Sequence, residues 1–240
     1  MSRGQTRTTL DALVRNRWPA WEPDVVEAAI AGGHILVDGR VLTNPRAQVT
    51  SAAQLRFEPP RDLAGRRKLA WAIERFGVLA GGRVALDVGA STGGFTTAWL
   101  EAGAARVYAV DVGHGQLLGS LRQDPRVVNL ERTNVADLSP AVVPEPVSLV
   151  SVDVSYLALG SAVEQVGAVN LAARADLLGL VKPMFELRLA TIPADPPTLL
   201  SARDLAVDAV GAARWEVVAV DECPVRGGRG AVEFVIHARR

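Results

Sequence analysis

The stretch Val84–Phe95, VALDVGASTGGF, constrains the chain most. A short apolar run ends in Asp87-Val88-Gly89-Ala90-Ser91-Thr92-Gly93-Gly94, and a helix-compatible segment follows. Glycine lets a backbone approach a ligand closely, and a helix start leaves amides unpaired. Such a turn reads as a ligand-binding loop at the carboxyl edge of a doubly wound sheet. The sequence beyond residue 70 agrees, with near-continuous apolar strands at 84–89, 106–112, 127–131, 147–154 and 175–182 and helices at 94–103, 160–172 and 200–213. This pattern predicts an α/β fold whose mostly parallel sheet is covered on both faces. Two last strands, Trp215–Val220 and Val232–His237, are joined by the Pro- and Gly-rich stretch 224–230. That spacing predicts a hairpin, with one strand antiparallel in a seven-stranded sheet.

Residues 1–60 read differently. Leu10, Leu13 and Val14 mark one short amphipathic helix, and Val25, Val26, Ala29 and Ile30 a second, opened by Pro23-Asp24 and closed by Gly32-Gly33. Asp38-Gly39 between His34–Val37 and Arg40–Leu42 is a hairpin signal, and Ala53–Phe57 alternates as a strand. This is a small α+β module. Pro59-Pro60 ends it as a linker would, and 61–75 is a basic linker and first helix carrying Arg61, Arg66, Arg67, Lys68 and Arg75 against Asp62 and Glu74. The expected division is therefore 1–60 and 61–240.

Basic and acidic side chains are equal in number, 26 each, so bulk basicity is no argument for nucleic-acid binding. One cysteine, Cys223, excludes a disulfide framework and a cysteine metal cluster, and His34, His114 and His237 share no ligand spacing; no metal is assigned. The first residues show no secretory signal, and no apolar run reaches the ~18 residues of a membrane span. The expectation is a soluble cytoplasmic protein without membrane partners.

The loop selects among nucleotides. A dinucleotide fingerprint needs glycine at 91, where this chain has serine, so NAD is disfavoured although still open. Asp111, some twenty residues on, is placed to accept hydrogen bonds from ribose hydroxyls. The wording DVGASTGGFT resembles the first motif of class I methyltransferases, which implies a Rossmann-like fold with S-adenosylmethionine as cofactor. On this likeness the cofactor-binding residues are Asp87, Gly89, Ala90, Ser91, Thr92, Gly93, Gly94, Asp111, Val112, Asn134 and Asp153, the loop of Asn134 lying near the adenine.

Four further residues sharpen the likeness. Lys68 in Arg67-Lys68-Leu69, Asp153 in Val152-Asp153-Val154, Lys182 in LVKPMFE and Glu233 in Val232-Glu233-Phe234 resemble the catalytic K-D-K-E tetrad of FtsJ-type ribose 2′-O-methyltransferases. With the first segment included, the chain is similar throughout to the TlyA family, which joins an RNA-binding domain of the ribosomal-protein S-four type to such a methyltransferase. The resemblance implies ribosomal RNA or ribosomal subunits as partner. It implies Lys182 as general base, with Lys68 and Asp153 orienting and tuning it and Glu233 holding a lysine in place.

The residues support this independently. A ribose hydroxyl must lose its proton to attack a methyl group, and lysine can titrate towards working pH whereas arginine stays protonated. Only two of the 26 basic residues are lysines, Lys68 and Lys182, and both fall on tetrad positions. Taken singly, Lys68 reads equally as part of a solvated basic helix face, and Glu233 as an outward strand residue.

Three departures stand against the family pattern: Ala64-Gly65-Arg66-Arg67 where a Ser-Arg-Gly-Gly-like run is usual, the acids Glu22, Asp24 and Glu27 on the N-terminal module, and a Leu187–Pro197 loop whose only basic residue is Arg188. They keep an alternative in play, an S-adenosylmethionine-binding, RNA-associated module with little or no catalysis. The family's hemolysin label implies a lytic activity that no spanning or strongly basic amphipathic segment here supports.

Overall fold

The computed structural model describes residues 6–59 and 63–240; Pro60, Arg61 and Asp62 of the expected linker lie outside the described residues. The chain divides into two compact units, one holding the N-terminal segment with Gly119–Asp124, the other holding the rest.

In the first unit, strand β1 (Arg7–Thr9) leads directly into helix α1 (Leu10–Arg17), whose first turn Thr9 caps by accepting from the Ala12 amide at 3.3 Å. Helix α2 (Pro23–Ala31) opens on proline, whose missing amide costs nothing at a first helical turn. Strands β2 (Ile35–Val37) and β3 (Arg40–Val41) form the expected hairpin, with Asp38 and Gly39 both at positive φ as a type I′ turn demands. Strand β4 (Gln48–Thr50) pairs with β1, and β5 (Leu55–Phe57) with β2. Leu10, Val14, Val26, Ile30 and Ile35 are fully buried between these elements. Trp18 stacks on Trp21 at 4.9 Å, and Phe57 meets Trp21 edge-on at 4.7 Å, so all three rings pack against this core.

The second unit starts with α3 (Ala64–Phe76) and builds one seven-stranded sheet from β6 (Val84–Val88), β7 (Arg106–Asp111), β8 (Val127–Glu131), β9 (Val147–Val152), β10 (Leu171–Val181), β11 (Glu216–Glu222) and β12 (Phe234–Arg239). The order is β11-β12-β10-β9-β6-β7-β8, parallel except for β12. Helices α4 (Gly94–Glu101), α6 (Leu159–Val166) and α8 (Pro196–Ala212) are the main crossovers, with the short turn α7 (Pro183–Glu186); α5 (Gly119–Gln123), between β7 and β8 in the chain, belongs to the first unit. The architecture is therefore α/β and Rossmann-like, as expected. Strand order reverses between β6 and β9, and at such a switch point the carboxyl ends part to leave a crevice.

One expected element is corrected. The helix placed at 160–172 stops at Val166, Gly167 following it, and Leu171–Ala172 already belong to β10. Leu171 pairs with Val147 before the register shifts to Asp176 opposite Leu149, so sheet pairing overrides the helix-compatible residues of that stretch. The expected strand over Val232–His237 begins instead at Phe234, leaving Glu233 just ahead of it.

The amino edge of the sheet is tied by Asp176, which accepts from Arg83 at 2.8 Å, Arg239 at 3.2 Å and lies 2.9 Å from His237 Nε2. Burial pushes this carboxyl up, but those hydrogen bonds outweigh it and hold Asp176 below the usual carboxylate range. Among the described residues no helix is long and apolar enough to cross a membrane.

Candidate active site

The glycine loop follows β6 directly. Gly89 sits at φ 89°, and a Cβ there would lie 2.3 Å from the Asp153 carbonyl oxygen. Only glycine lets the end of β6 press so closely on the end of β9. Asp153 in turn donates its amide to Val88 O at 2.9 Å, so the two strand ends are fastened across the switch point. A cleft of about 190 Å³ opens here, lined by Gly89, Ser91, Asp111, Val112, Thr133 and Asp153, with Gln116, Ser155 and Tyr156 around it. Asp111 accepts from the Ser91 amide at 2.8 Å and the Gly113 amide at 2.7 Å. Each carboxylate oxygen retains a further lone pair for a ligand hydroxyl. Val112 and Tyr156 are each 48% exposed beside it, and burial together with the charge of Asp111 pushes the Tyr156 phenol up.

The four tetrad side chains form two ion pairs. Lys68, on the second turn of α3, pairs with Glu233, and both are buried. Lys182 Nζ lies 2.5 Å from Asp153 Oδ1 and donates to Ser155 Oγ at 2.9 Å, on a partly exposed wall. Lys68 reaches its place because two glycines meet where α3 crosses α4. A Cβ on Gly94 would lie 2.9 Å from the Arg66 amide nitrogen, and one on Gly65 3.3 Å from Phe95.

A second cavity, of about 410 Å³, lies beyond Lys182. Its walls are mostly apolar, including Met184, Phe185, Ile192 and Val232, with Ser155, Lys182 and Glu233 among the polar lining and the exposed Arg229 on one side. Ser155 lines both cavities, so the two spaces meet at the Lys182–Asp153 pair. Glu186, the last residue of LVKPMFE, turns away from this space. Its Oε1 accepts from the Leu159 amide at 2.8 Å, locking α7 to the start of α6. Burial pushes its carboxyl up, and the Leu159 amide partly offsets this.

An FtsJ-like methyltransferase family model matches residues 65–240. A Mycobacterium tuberculosis protein, the 16S/23S rRNA (cytidine-2′-O)-methyltransferase TlyA, is 37% identical over 97% of this chain and 90% of its own length. The chain belongs to the TlyA family of FtsJ-like methyltransferases. Brachyspira hyodysenteriae Hemolysin A is 28% identical over 95% of this chain and 98% of its own length. A solved Streptococcus thermophilus structure with a hemolysin name superposes at a TM-score of 0.71, with 26% identity, over 99% of this chain and 90% of that one.

Within this TlyA-family chain, the expected site residues separate into those that line a cavity and those that support it. Gly89, Ser91, Asp111, Val112 and Asp153 line the smaller cleft, while Lys182 and Glu233 line the other cavity. Asp87 does not. It is fully buried beneath the loop, accepting from Thr96 at 2.7 Å and Ser151 at 2.9 Å, while Trp99 Nε1 donates to Ser151 at 2.9 Å. Burial, against those hydrogen bonds, pushes the Asp87 carboxyl up to about 7. Asn134 turns its side-chain oxygen onto the Ala136 amide at 3.0 Å, capping a short turn, and its neighbour Thr133 lines the cleft instead. Ala90, Thr92, Gly93 and Gly94 shape the loop without lining it. Gln116, Thr133, Ser155 and Tyr156 were not singled out from sequence. The signal for Ser155 was its place two residues after Asp153 at a strand end; the others carry no local pattern. The cleft suits S-adenosylmethionine: spare acceptor sites on Asp111 match ribose hydroxyls, and Val112 with Tyr156 match a purine face.

Proposed function

We propose that this chain methylates a ribose 2′-hydroxyl of ribosomal RNA, with S-adenosylmethionine as donor and Lys182 as general base. One observation carries the reading: the Lys182–Asp153 pair, 2.5 Å apart, stands where two cavities share the wall made by Ser155. Gly89, Ser91, Asp111, Val112, Thr133 and Tyr156 would hold the donor, which supplies an electrophilic methyl group. On the other side, Lys182 Nζ, as the free amine, takes the proton from the attacking hydroxyl and becomes the ammonium. The Asp153 carboxylate stabilises the ammonium that results, and the Ser155 hydroxyl fixes the direction of Nζ. Lys68 and Glu233 neutralise each other in a buried pair, so the wall carries a fixed charge pattern without an uncompensated ion.

The substrate class rests on the Mycobacterium tuberculosis relative, whose name specifies ribose methylation of ribosomal RNA. We assign residues 1–60 as an S-four-like RNA-binding domain and 61–240 as the methyltransferase domain. Arg40 and Arg46, exposed and without an ion pair among the described residues, support the RNA role of the first unit, and a ribosomal substrate makes the protein cytoplasmic. Tritiated S-adenosylmethionine with purified ribosomal subunits tests the reading: label in RNA is expected, and unlabelled RNA from both subunits overturns it. Lys182→Arg keeps the charge but removes the titratable base, so its turnover should fall by at least about a hundredfold. Full turnover in that variant would mean another group takes the proton.

A further inference from the structure

Among the described residues, six that are not glycine sit at positive φ: Asp38, Ser91, Arg132, Arg188, Arg214 and Arg229. Left-handed backbone ordinarily falls to glycine, asparagine or aspartate, because a longer side chain strains it. Four arginines in that set are out of proportion, and one of them, Arg229, lines the acceptor-side cavity. Its φ of 56° lies between Gly228 and Gly230 in the turn that joins β11 to β12. A glycine would hold this turn with less strain, so the arginine is there for its side chain.

The turn is pinned by its own hydrogen bonds and seated against the tetrad. Gly227 donates to Ala231 O at 2.9 Å and Gly230 to Gly227 O at 3.1 Å, while Arg226 anchors the near side through Glu222 at 2.9 Å. A Cβ on Gly227 would lie 2.1 Å from Glu233 Oε1, so the turn seats directly on the tetrad carboxylate. Three charged side chains line the cavity, and Lys182 and Glu233 are both paired with tetrad partners. Arg229 is exposed and has no ion pair among the described residues. It therefore presents an unneutralised guanidinium to whatever enters. A nucleotide that brings its 2′-hydroxyl to Lys182 carries a phosphate on the adjacent carbon, and a guanidinium binds phosphate through two parallel hydrogen bonds.

We propose that Arg229 is a positioning residue that grips the RNA phosphate next to the acceptor ribose and so sets that ribose against Lys182. The proposal rests on the methyltransferase reading above and deepens it on the substrate side.

Arg229→Gly tests it in the full-length chain, because glycine relieves the backbone while removing the side chain that carries the guanidinium. Initial methylation rates would be measured against concentration of ribosomal RNA from purified subunits, at several salt concentrations, with tritiated donor. The expected result is a KM for RNA raised about tenfold, a change in kcat smaller than that, unchanged donor affinity and unchanged or higher Tm. The slope of log affinity against log salt should shrink by about one phosphate contact, which a merely structural role would not produce. Arg229→Lys should fall between the two, keeping charge without the fork. If Arg229→Gly keeps its KM within about twofold and the same salt slope, the proposal is overturned while the methyltransferase reading stands. If the unaltered protein labels no RNA, both fall together.

Discussion

Asp87 shows how a residue at the end of an active-site strand can serve from behind. Its carboxyl has been moved from the open ligand side to a dry network of Thr96, Ser151 and Trp99, and its titration is raised from 3.8 to about 7. Below about pH 4 the group is protonated whether the chain is folded or not. Between about 4 and about 7 the unfolded chain ionises while the folded one resists, so this residue's contribution to stability declines across that window and is level above it. Asp87→Asn removes the effect. Its unfolding free energy, minus that of the unaltered protein, should rise from pH 4 to 7 in denaturant titrations; a flat difference would mean Asp87 is ionised in the folded state. Sequence showed the aspartate but not its direction, because a carboxylate in a ligand loop and one bracing that loop look alike until the strand is placed. The side-chain oxygen of Asn134 likewise accepts from the Ala136 amide, a placement that the sequence does not show. The lysines were legible for the opposite reason: in a chain that otherwise uses arginine, the two exceptions both stand in the paired cluster with Glu233 and Asp153.

At the scale of elements, the site depends on backbone meeting backbone. Helix α3 brings Lys68 to Glu233 only because Gly65 and Gly94 let α3 and α4 touch. Gly94→Ala would set a methyl 2.9 Å from the Arg66 amide nitrogen, and backbone cannot yield there as a flexible side chain would. We expect a loss of about 1–3 kcal/mol in stability, read by chemical denaturation, and turnover reduced beyond what unfolding explains. A variant as stable as the parent would show that the helices can part without disturbing the pair. The unusual Ala64-Gly65-Arg66-Arg67 run marked this place in the sequence without revealing its cause, since a helix crossing is fixed by a distant partner. Strands β6 to β9 were legible because their apolar runs are nearly continuous. The start of β10 was not, because Leu171–Arg174 suit a helix locally and only pairing with β9 makes them a strand.

For the whole molecule, the parallel sheet and its antiparallel β12 followed from spacing alone, whereas the inclusion of Gly119–Asp124 in the first compact unit did not. Five residues of helix so far along the chain carry no local sign of the unit they join. Ligand linkage offers a test at this scale. Donor at about a hundred times its Kd adds about 2.7 kcal/mol to the unit that binds it, about 5–10 °C in Tm for a domain of this size. Differential scanning calorimetry should show that rise in the transition of the sheet-bearing unit; an unmoved transition at saturating donor would show that the cleft is not where the donor binds.

Ser155 has a practical consequence. With one hydroxyl forming part of the wall on both sides, a single molecule can be drawn that fills each space and passes over it. An adenosine-like half seated against Asp111 and a nucleotide-like half reaching Arg229 would each raise the local concentration of the other, by an amount set by tether length. Such a bridged inhibitor needs both halves matched at once, a demand that enzymes sharing only the donor cleft do not meet.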